Sequence, residues 1–225
     1  MTLIKTLLAD DHTIVREGLR SLLLADGGIE IVGEARNGRE AVEMAIALRP
    51  DVVVMDIAMP LLNGLEATKQ VMDALPHTKV LILSAHSDDA YIDRVVAVGA
   101  VGFLIKQTSA QILAKAIHEV MEGNTFYSPQ VAKRVRDNYY PPEKVGGLMV
   151  KKATGLTSRE LEVIQLVAEG QANKQVASSL KISIKTVEKH RQHLMDKLNI
   201  HDTAGLTRYA IARGIIESSV QLTIV

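Results

Sequence analysis

Residues 52–60 of the chain read VVVMDIAMP, a short run apolar on both faces that ends in Asp56, with Pro60 four residues on. A run of that length and pattern is a strand from the middle of a parallel sheet covered by helices on each side. A carboxylate closing such a strand is costly to desolvate unless it has a partner, a metal or a task. The same punctuation recurs along the chain. Asp10 and Asp11 follow the apolar run Leu7-Leu8-Ala9, Ser84 closes Val80–Ser84, and Lys106 follows Val101–Ile105.

Around these strands the first 123 residues alternate apolar runs with amphipathic stretches. Candidate strands are Ile4–Ala9, Glu30–Ala35, Val52–Asp56, Val80–Ser84 and Val101–Ile105; helical patterns cover Thr13–Leu24, Gly38–Leu48, Asn63–Leu75, Asp88–Val98 and Ser109–Glu122. Five βα units make an α/β doubly wound domain, (βα)5, whose site forms beyond the carboxyl ends of its strands. Asp10, Asp11, Asp56, Ser84 and Lys106 all fall at that edge. Residues 124–153 lose the periodicity and contain Pro141-Pro142 and Gly146-Gly147, which predicts a linker. Residues 154–225 form a second domain that reads as all-α: a capping box at Thr157 and Glu160 opens one helix, and Gly170 ends it. A short helix at Lys174–Leu180, a tight connection, and a longer polar helix from Ser183 to Leu198 follow, then a last helix over about Thr203–Arg213. The short helix, turn and longer helix fit a helix-turn-helix.

Composition limits the function classes. The chain has no cysteine, which excludes disulfides and thiolate metal sites. No apolar stretch reaches the roughly 18–20 residues of a membrane span, and no signal peptide is legible, so a cytoplasmic protein is expected. Net charge is zero, but residues 1–150 carry 15 basic and 19 acidic side chains, against 11 and 7 in residues 151–225. An acidic domain is joined to a basic one, and the basic one is a candidate polyanion binder.

Three carboxylates converging on one point favour a hard divalent cation, and Mg2+ is the usual choice for a phosphate site. Lys106 offers a point charge for a phosphoryl oxygen, and Ser84 a hydroxyl. An Asp carboxylate can itself be the nucleophile and form an aspartyl phosphate. Any single Asp here is equally a cap at a strand end; the constellation is what points to chemistry. The segments LLADDH, VVVMDIAMP-LLNG, LILSAHSD and VGFLIK, at their spacing in residues 1–123, resemble the receiver domain of two-component response regulators. The resemblance implies a parallel sheet of order 2-1-3-4-5, Asp56 as phosphoacceptor, and Asp10, Asp11, Asp56 and the backbone carbonyl of Ala58 as the metal site. It also implies Ser84 and Lys106 as phosphoryl contacts and Ser84 and Phe103 as the switch pair. The sequence departs from many receivers in Ser84 where Thr is frequent, Phe103 in place of Tyr, and Gln107 where a proline often follows the lysine. Ala58 and His86 stand where side chains can tune phosphoryl lifetime.

On the helix from Ile184, Lys185, Glu188, Lys189, Arg191 and Gln192 alternate with apolar Val187, Leu194 and Leu198. Composition alone would read this as a solvated face. Residues 156–200, with TSRELEV, EGQANKQVA, SIKTVEKHR and MDKLN, resemble the LuxR-type helix-turn-helix, and the whole chain resembles the NarL/FixJ family of response regulators. The resemblance places Lys174, Ser183, Thr186 and His190 near the DNA backbone and Glu188, Lys189 and Gln192 at base edges, and Lys185 is a further candidate DNA contact. Ala172 stands where a capping Ser or Thr is frequent, leaving Asn173 to cap that helix or no cap at all. Ile184 puts an apolar group at a helix start, to bury against Leu180 or touch a thymine methyl. Ala204, Leu206, Tyr209 and Arg213 would pair two subunits, although the intrachain core competes for Leu206 and Ala210.

The reading is a non-enzymatic transcription regulator with a sensor histidine kinase and double-stranded DNA carrying paired half-sites as partners, and a phosphorylation-promoted homodimer as its active form. The alternative is a signalling-interaction protein or phosphate sink with little DNA contact. An enzyme hydrolysing phosphate esters fits poorly, because a basic helical domain would serve no purpose in it.

Overall fold

The computed structural model describes residues 2–85, 94–106, 110–127, 131–132 and 155–216. Its first part is a parallel sheet of six strands: β1 (Ile4–Ala9), β2 (Ile29–Ala35), β3 (Val52–Asp56), β4 (Lys79–Ser84), β5 (Gly102–Ile105) and β6 (Phe126–Tyr127). Their spatial order is β2-β1-β3-β4-β5-β6. The doubly wound order inferred from sequence is therefore present, extended by one short strand. Phe126 and Tyr127 pair with Gly102 and Phe103, and Val131 packs in the same core. The expected helix over 88–98 is described only as a turn of helix at residues 94–97.

Strict alternation along the strands divides the core into two layers. Leu7, Val53, Met55, Val80, Ile82 and Phe103 face α2 (Gly38–Leu48) and α3 (Gly64–Ala74). Leu8, Val52, Val54, Leu81, Leu83 and Leu104 face α1 (Thr13–Leu24) and α4 (Ala110–Met121). Two glycines are required by close approach. A Cβ on Gly64 would lie 1.8 Å from the Asp56 carbonyl oxygen, and one on Gly38 would lie 2.0 Å from the Leu62 carbonyl oxygen. The segment 57–63 is thereby pressed between β3 and the starts of α2 and α3.

The second part is a four-helix unit: α5 (Ser158–Ala168), α6 (Asn173–Leu180), α7 (Ile184–Leu198) and α8 (Thr203–Ala212). Thr157 and Glu160 form the expected capping box, and Lys197 reaches back from α7 to Glu160 at 2.7 Å. Those bonds hold the Glu160 carboxyl below its usual range against the opposing effect of burial. Val163, Ile164, Val167, Val176, Val187, Leu194, Leu206 and Ala210 build one core. The start of α6 decides between the two expectations: Ala172 is the N-cap and no side chain accepts from the first turn in its place. Asn173 does not cap it; the Gln175 carboxamide accepts from Ala172 N–H at 2.8 Å, while Asn173 Oδ1 accepts from Arg191 at 2.7 Å.

Candidate functional site: an acidic pocket, a reading helix and the contact between them

Parallel register carries the pocket residues to one edge. Ala9 pairs with Met55, Asp56 with Leu83, and Ser84 with Ile105, so the residues that follow each strand converge. Asp10, Asp56 and Ser84 are each 2% exposed. Burial on that scale makes every uncompensated charge expensive, and one cation answers it. Lys106 Nζ donates to Asp56 Oδ2 at 2.8 Å and forms an ion pair with Asp10 Oδ2, also at 2.8 Å. The latter pair lacks hydrogen-bond geometry, which leaves Asp10 Oδ2 a buried acceptor. Asp10 Oδ1 is held instead by the His12 backbone N–H at 2.8 Å, and Asp11 by the His12 ring.

Burial pushes the Asp56 carboxyl up to about 7, Lys106 opposes it, and the charges of Asp10 and Asp11 add to it. Burial also pulls the Lys106 ammonium down, yet its pairing with Asp56 and Asp10 outweighs this and holds it above its ordinary value. Ligand atoms of Asp10, Asp11, His12 and Asp56 lie within 4.8 Å of one another. Hard carboxylate oxygens at this spacing, one of them without a hydrogen bond, fit a divalent cation such as Mg2+. Phe103 is fully buried in the sheet core. His86 and Gln107 lie outside the described residues.

Sequence reasoning missed Arg16. It is 4% exposed, paired with Glu34 at 3.0 Å, and donates to the Asp10 carbonyl at 2.8 Å. Its place in an amphipathic helix gave the appearance of an ordinary solvent-facing cation.

On α7, Lys185, Glu188, Lys189 and Gln192 are exposed, as are Lys174 and Ser183; Thr186 and His190 are half-buried. Ser183 Oγ caps the helix by accepting from Thr186 N–H at 3.1 Å. Ile184 is 45% exposed, so it is not buried against Leu180. Arg191 is half-buried and tied to Asn173 and Thr203, which makes it a brace rather than an open cation. On α8, Leu206 is wholly buried within the chain and unavailable to a second subunit. Ala204 and Arg213 are exposed, and the Arg213 guanidinium lies 5.5 Å from the centre of the half-buried Tyr209 ring.

A third set of residues, unforeseen from sequence, joins the two parts. Gln165, on α5 and 1% exposed, donates to the Met59 carbonyl at 3.0 Å and accepts from Asn63 N–H at 2.8 Å. Glu169 accepts from Leu61 N–H at 3.1 Å, and burial pushes its carboxyl above the usual range despite Gln165, that N–H and Arg39. Glu162 accepts from Arg39 at 3.0 Å and from Gln70 at 3.2 Å. Arg94 donates to the carbonyls of Arg213 and Gly214 at the end of α8. Glu162, Gln165 and Glu169 recur at helical spacing, a stripe that reads from sequence as a solvated face.

The comparisons with known proteins agree with this geometry. "Response regulator receiver domain" matches residues 6–118, and "Bacterial regulatory proteins, luxR family" matches residues 154–210. The response regulator protein VraR of Staphylococcus aureus is 35% identical, with 95% of this chain and 99% of that protein covered. The chain is a two-component response regulator with a LuxR-type DNA-binding domain. The regulator is also 33% identical to the transcriptional regulatory protein DegU of Brevibacillus brevis, over 95% of each chain. Among solved structures it resembles the response regulator ChrA of a heme-sensing two-component system, at 31% identity and a TM-score of 0.51, covering 96% of this chain and 100% of that one. A structure described as two RcsB dimers bound to two parallel DNAs gives 25% identity and a TM-score of 0.55, covering 92% and 98%. A receiver joined to such a domain implies a kinase and DNA as partners of the regulator. No described helix is long and apolar enough to cross a membrane.

Proposed function

We propose that Asp56 takes a phosphoryl group from a phosphohistidine of a sensor kinase, and that this modification controls dimerisation and sequence-specific binding to paired half-sites in DNA. The carrying observation is one ammonium, Lys106, set 2.8 Å from both Asp56 and Asp10 in a buried pocket. A carboxylate oxygen of Asp56 attacks phosphorus, the P–N bond breaks, and its electron pair returns to the imidazole. Lys106 leaves its carboxylate partner for a phosphoryl oxygen, and the Ser84 hydroxyl reaches another. Asp10, Asp11, Asp56 and the Ala58 carbonyl would hold Mg2+, which supplies charge neutralisation in the transfer. The product is a modified chain and not a released metabolite, so the regulator acts as a signal carrier and not as an enzyme.

In the DNA-binding domain, Lys174, Ser183, Lys185, Thr186 and His190 would meet phosphates, which gives affinity. Glu188, Lys189 and Gln192 would meet base edges, which gives selectivity. Ala204 and Tyr209 on α8, with Arg213 just past its end, are the surface offered to a second copy. The test is labelling of the full chain by acetyl phosphate and Mg2+, read by intact mass. Asp56→Asn should abolish it; a variant that still takes the label removes Asp56 from its role. Genomic fragments retained by the chain, with and without phosphodonor, test the DNA half of the proposal; failure to retain any sends the reading to a phosphate sink.

A further inference from the structure

Along a strand successive side chains point to opposite faces, so neighbours such as Asp10 and Asp11 reach one pocket only if the backbone turns between them. Strand β1 stops at Ala9, and the turn occupies residues 10–12 before α1 begins at Thr13. The turned backbone is held on each side of Asp10. Its N–H donates to the Ala35 carbonyl at 3.1 Å, its Oδ1 accepts from His12 N–H at 2.8 Å, and its carbonyl accepts from Arg16 Nη1 at 2.8 Å. That carbonyl belongs to the planar peptide joining Asp10 to Asp11, and the tilt of this plane sets the direction in which Asp11 leaves the chain. Asp11 itself is exposed, and its carboxylate meets the ring of His12, which is exposed as well. Its aim is therefore fixed through the backbone and not by packing around its side chain.

Arg16 reaches the pocket through this main-chain oxygen. Its Nε donates to Glu34 Oε2 at 3.0 Å, and Arg20 pairs with the other oxygen of Glu34 at 3.3 Å. Glu34 lies on β2, beside Leu8 of β1. The buried guanidinium charge is thus balanced by an acid outside the pocket, and what Arg16 supplies to Asp10 is direction. A guanidinium is a rigid planar fork, so anchoring Nε on Glu34 fixes where Nη1 points. An ammonium in the same space would carry the same charge without the fork. Arg16 also lies in the first turn of α1, where its N–H donates to the His12 carbonyl at 3.0 Å. Strand β1, strand β2 and helix α1 therefore meet on one side chain.

We infer that Arg16, anchored by Glu34, is a positioning residue of the cation site: it holds the peptide between Asp10 and Asp11 so that both carboxylates aim at one divalent ion. This rests on Asp10, Asp11 and Asp56 being the Mg2+ site. Partners that orient metal ligands without touching the metal typically contribute roughly ten- to a hundredfold to affinity. With the peptide free to turn, Asp11 has to be brought back to the pocket each time the ion binds, so the loss falls on cation affinity. The chemistry at Asp56 with the ion in place is left intact.

The experiment uses the full chain as wild type, Arg16→Lys, Glu34→Ala and the conservative Glu34→Gln, which keeps an acceptor for Arg16 Nε. Mg2+ titrations of the unphosphorylated chain are followed by amide nuclear magnetic resonance, which also reports whether each variant is folded. Labelling of Asp56 by acetyl phosphate is measured across Mg2+ concentrations. Arg16→Lys should bind Mg2+ about tenfold more weakly, and its labelling rate should return to within about twofold of wild type once Mg2+ is saturating. Glu34→Ala should weaken Mg2+ binding several-fold in the same way, and Glu34→Gln should stay near wild type. A merely stabilising side chain would change urea resistance and leave Mg2+ affinity where it was. Wild-type Mg2+ affinity in Arg16→Lys therefore overturns the inference while leaving the pocket in its role; should that variant fail to fold, Glu34→Ala decides in its place. A labelling rate that stays low at saturating Mg2+ overturns it too, because the damage then lies in the pocket as a whole. A wild-type chain that neither binds Mg2+ nor takes the label overturns the assignment of the pocket itself.

Discussion

The acidic pocket and the exposed face of α7 both gather charge, and they do so under opposite physical conditions. In the pocket, Asp10 and Asp56 are 2% exposed and one ammonium serves both. On α7, Lys185, Glu188, Lys189 and Gln192 stand in solvent, and Gln192 donates to Asp196 on its own helix. Buried charges interact strongly and cannot be replaced by water, so each pocket residue is decisive for the others. Exposed charges are screened and nearly independent, so a face of this kind would bind by summing modest contributions. A pocket of this kind switches; a face of that kind grades affinity.

The sharpest way to break the comparison is to remove the shared cation. Lys106→Met leaves two buried carboxylates facing each other, and breaking a buried pair costs on the order of 3–5 kcal/mol. We expect the chain in EDTA to lose stability by about that amount at pH 8, measured by urea denaturation, and to regain most of it in Mg2+. Labelling of Asp56 should fall by orders of magnitude. A denaturation midpoint unchanged by the substitution would show that the pocket is not held by its ammonium.

A smaller effect follows from Asp56 alone. Its folded pKa of about 7 lies above the unfolded value near 3.8, so the folded chain binds more protons between these limits. Stability contributed by this group is present below pH about 4 and is lost as pH rises through about 7. The loss is on the order of 4 kcal/mol in metal-free solution. Asp56→Asn should lack that slope and be the more stable chain at pH 8 in EDTA. Equal pH profiles for the two chains would place the raised proton affinity elsewhere.

The two regions also differed in how far they could be read from residues. The pocket was legible because strands β3 and β4 are apolar on both faces, and a polar residue closing such a strand has few bland explanations. Strand β6 was not, because Phe126-Tyr127 is too short for any period and exists only through pairing with the free edge of β5. Arg16 escaped notice since periodicity assigns a cation on an amphipathic helix to solvent, while the burial of Arg16 depends on Glu34 arriving from β2. The contact between the two parts escaped for the same reason: Glu162, Gln165 and Glu169 form a polar stripe that would face water in an isolated domain. Leu206 shows the converse. Its apolar character was compatible with a subunit contact or an internal core, and only the packing of α8 on α5 decides for the core.

The smallest expected effect tests the graded side of the comparison. Lys189 is exposed on α7 and is not one of the pocket residues. Lys189→Ala should therefore leave urea stability, Mg2+ affinity and Asp56 labelling unchanged. Specific DNA affinity should fall by about 1–3 kcal/mol if Lys189 meets a base edge, with relaxed preference at one position and little change in the salt slope. If it meets a phosphate instead, binding should weaken uniformly across sequences and the log–log salt slope should shallow by about one. Titrations of a selected half-site and single-position variants at several salt concentrations separate the two. Unchanged affinity on every sequence would remove Lys189 from the interface, and a cooperative loss far beyond this range would mean that α7 behaves like the pocket after all.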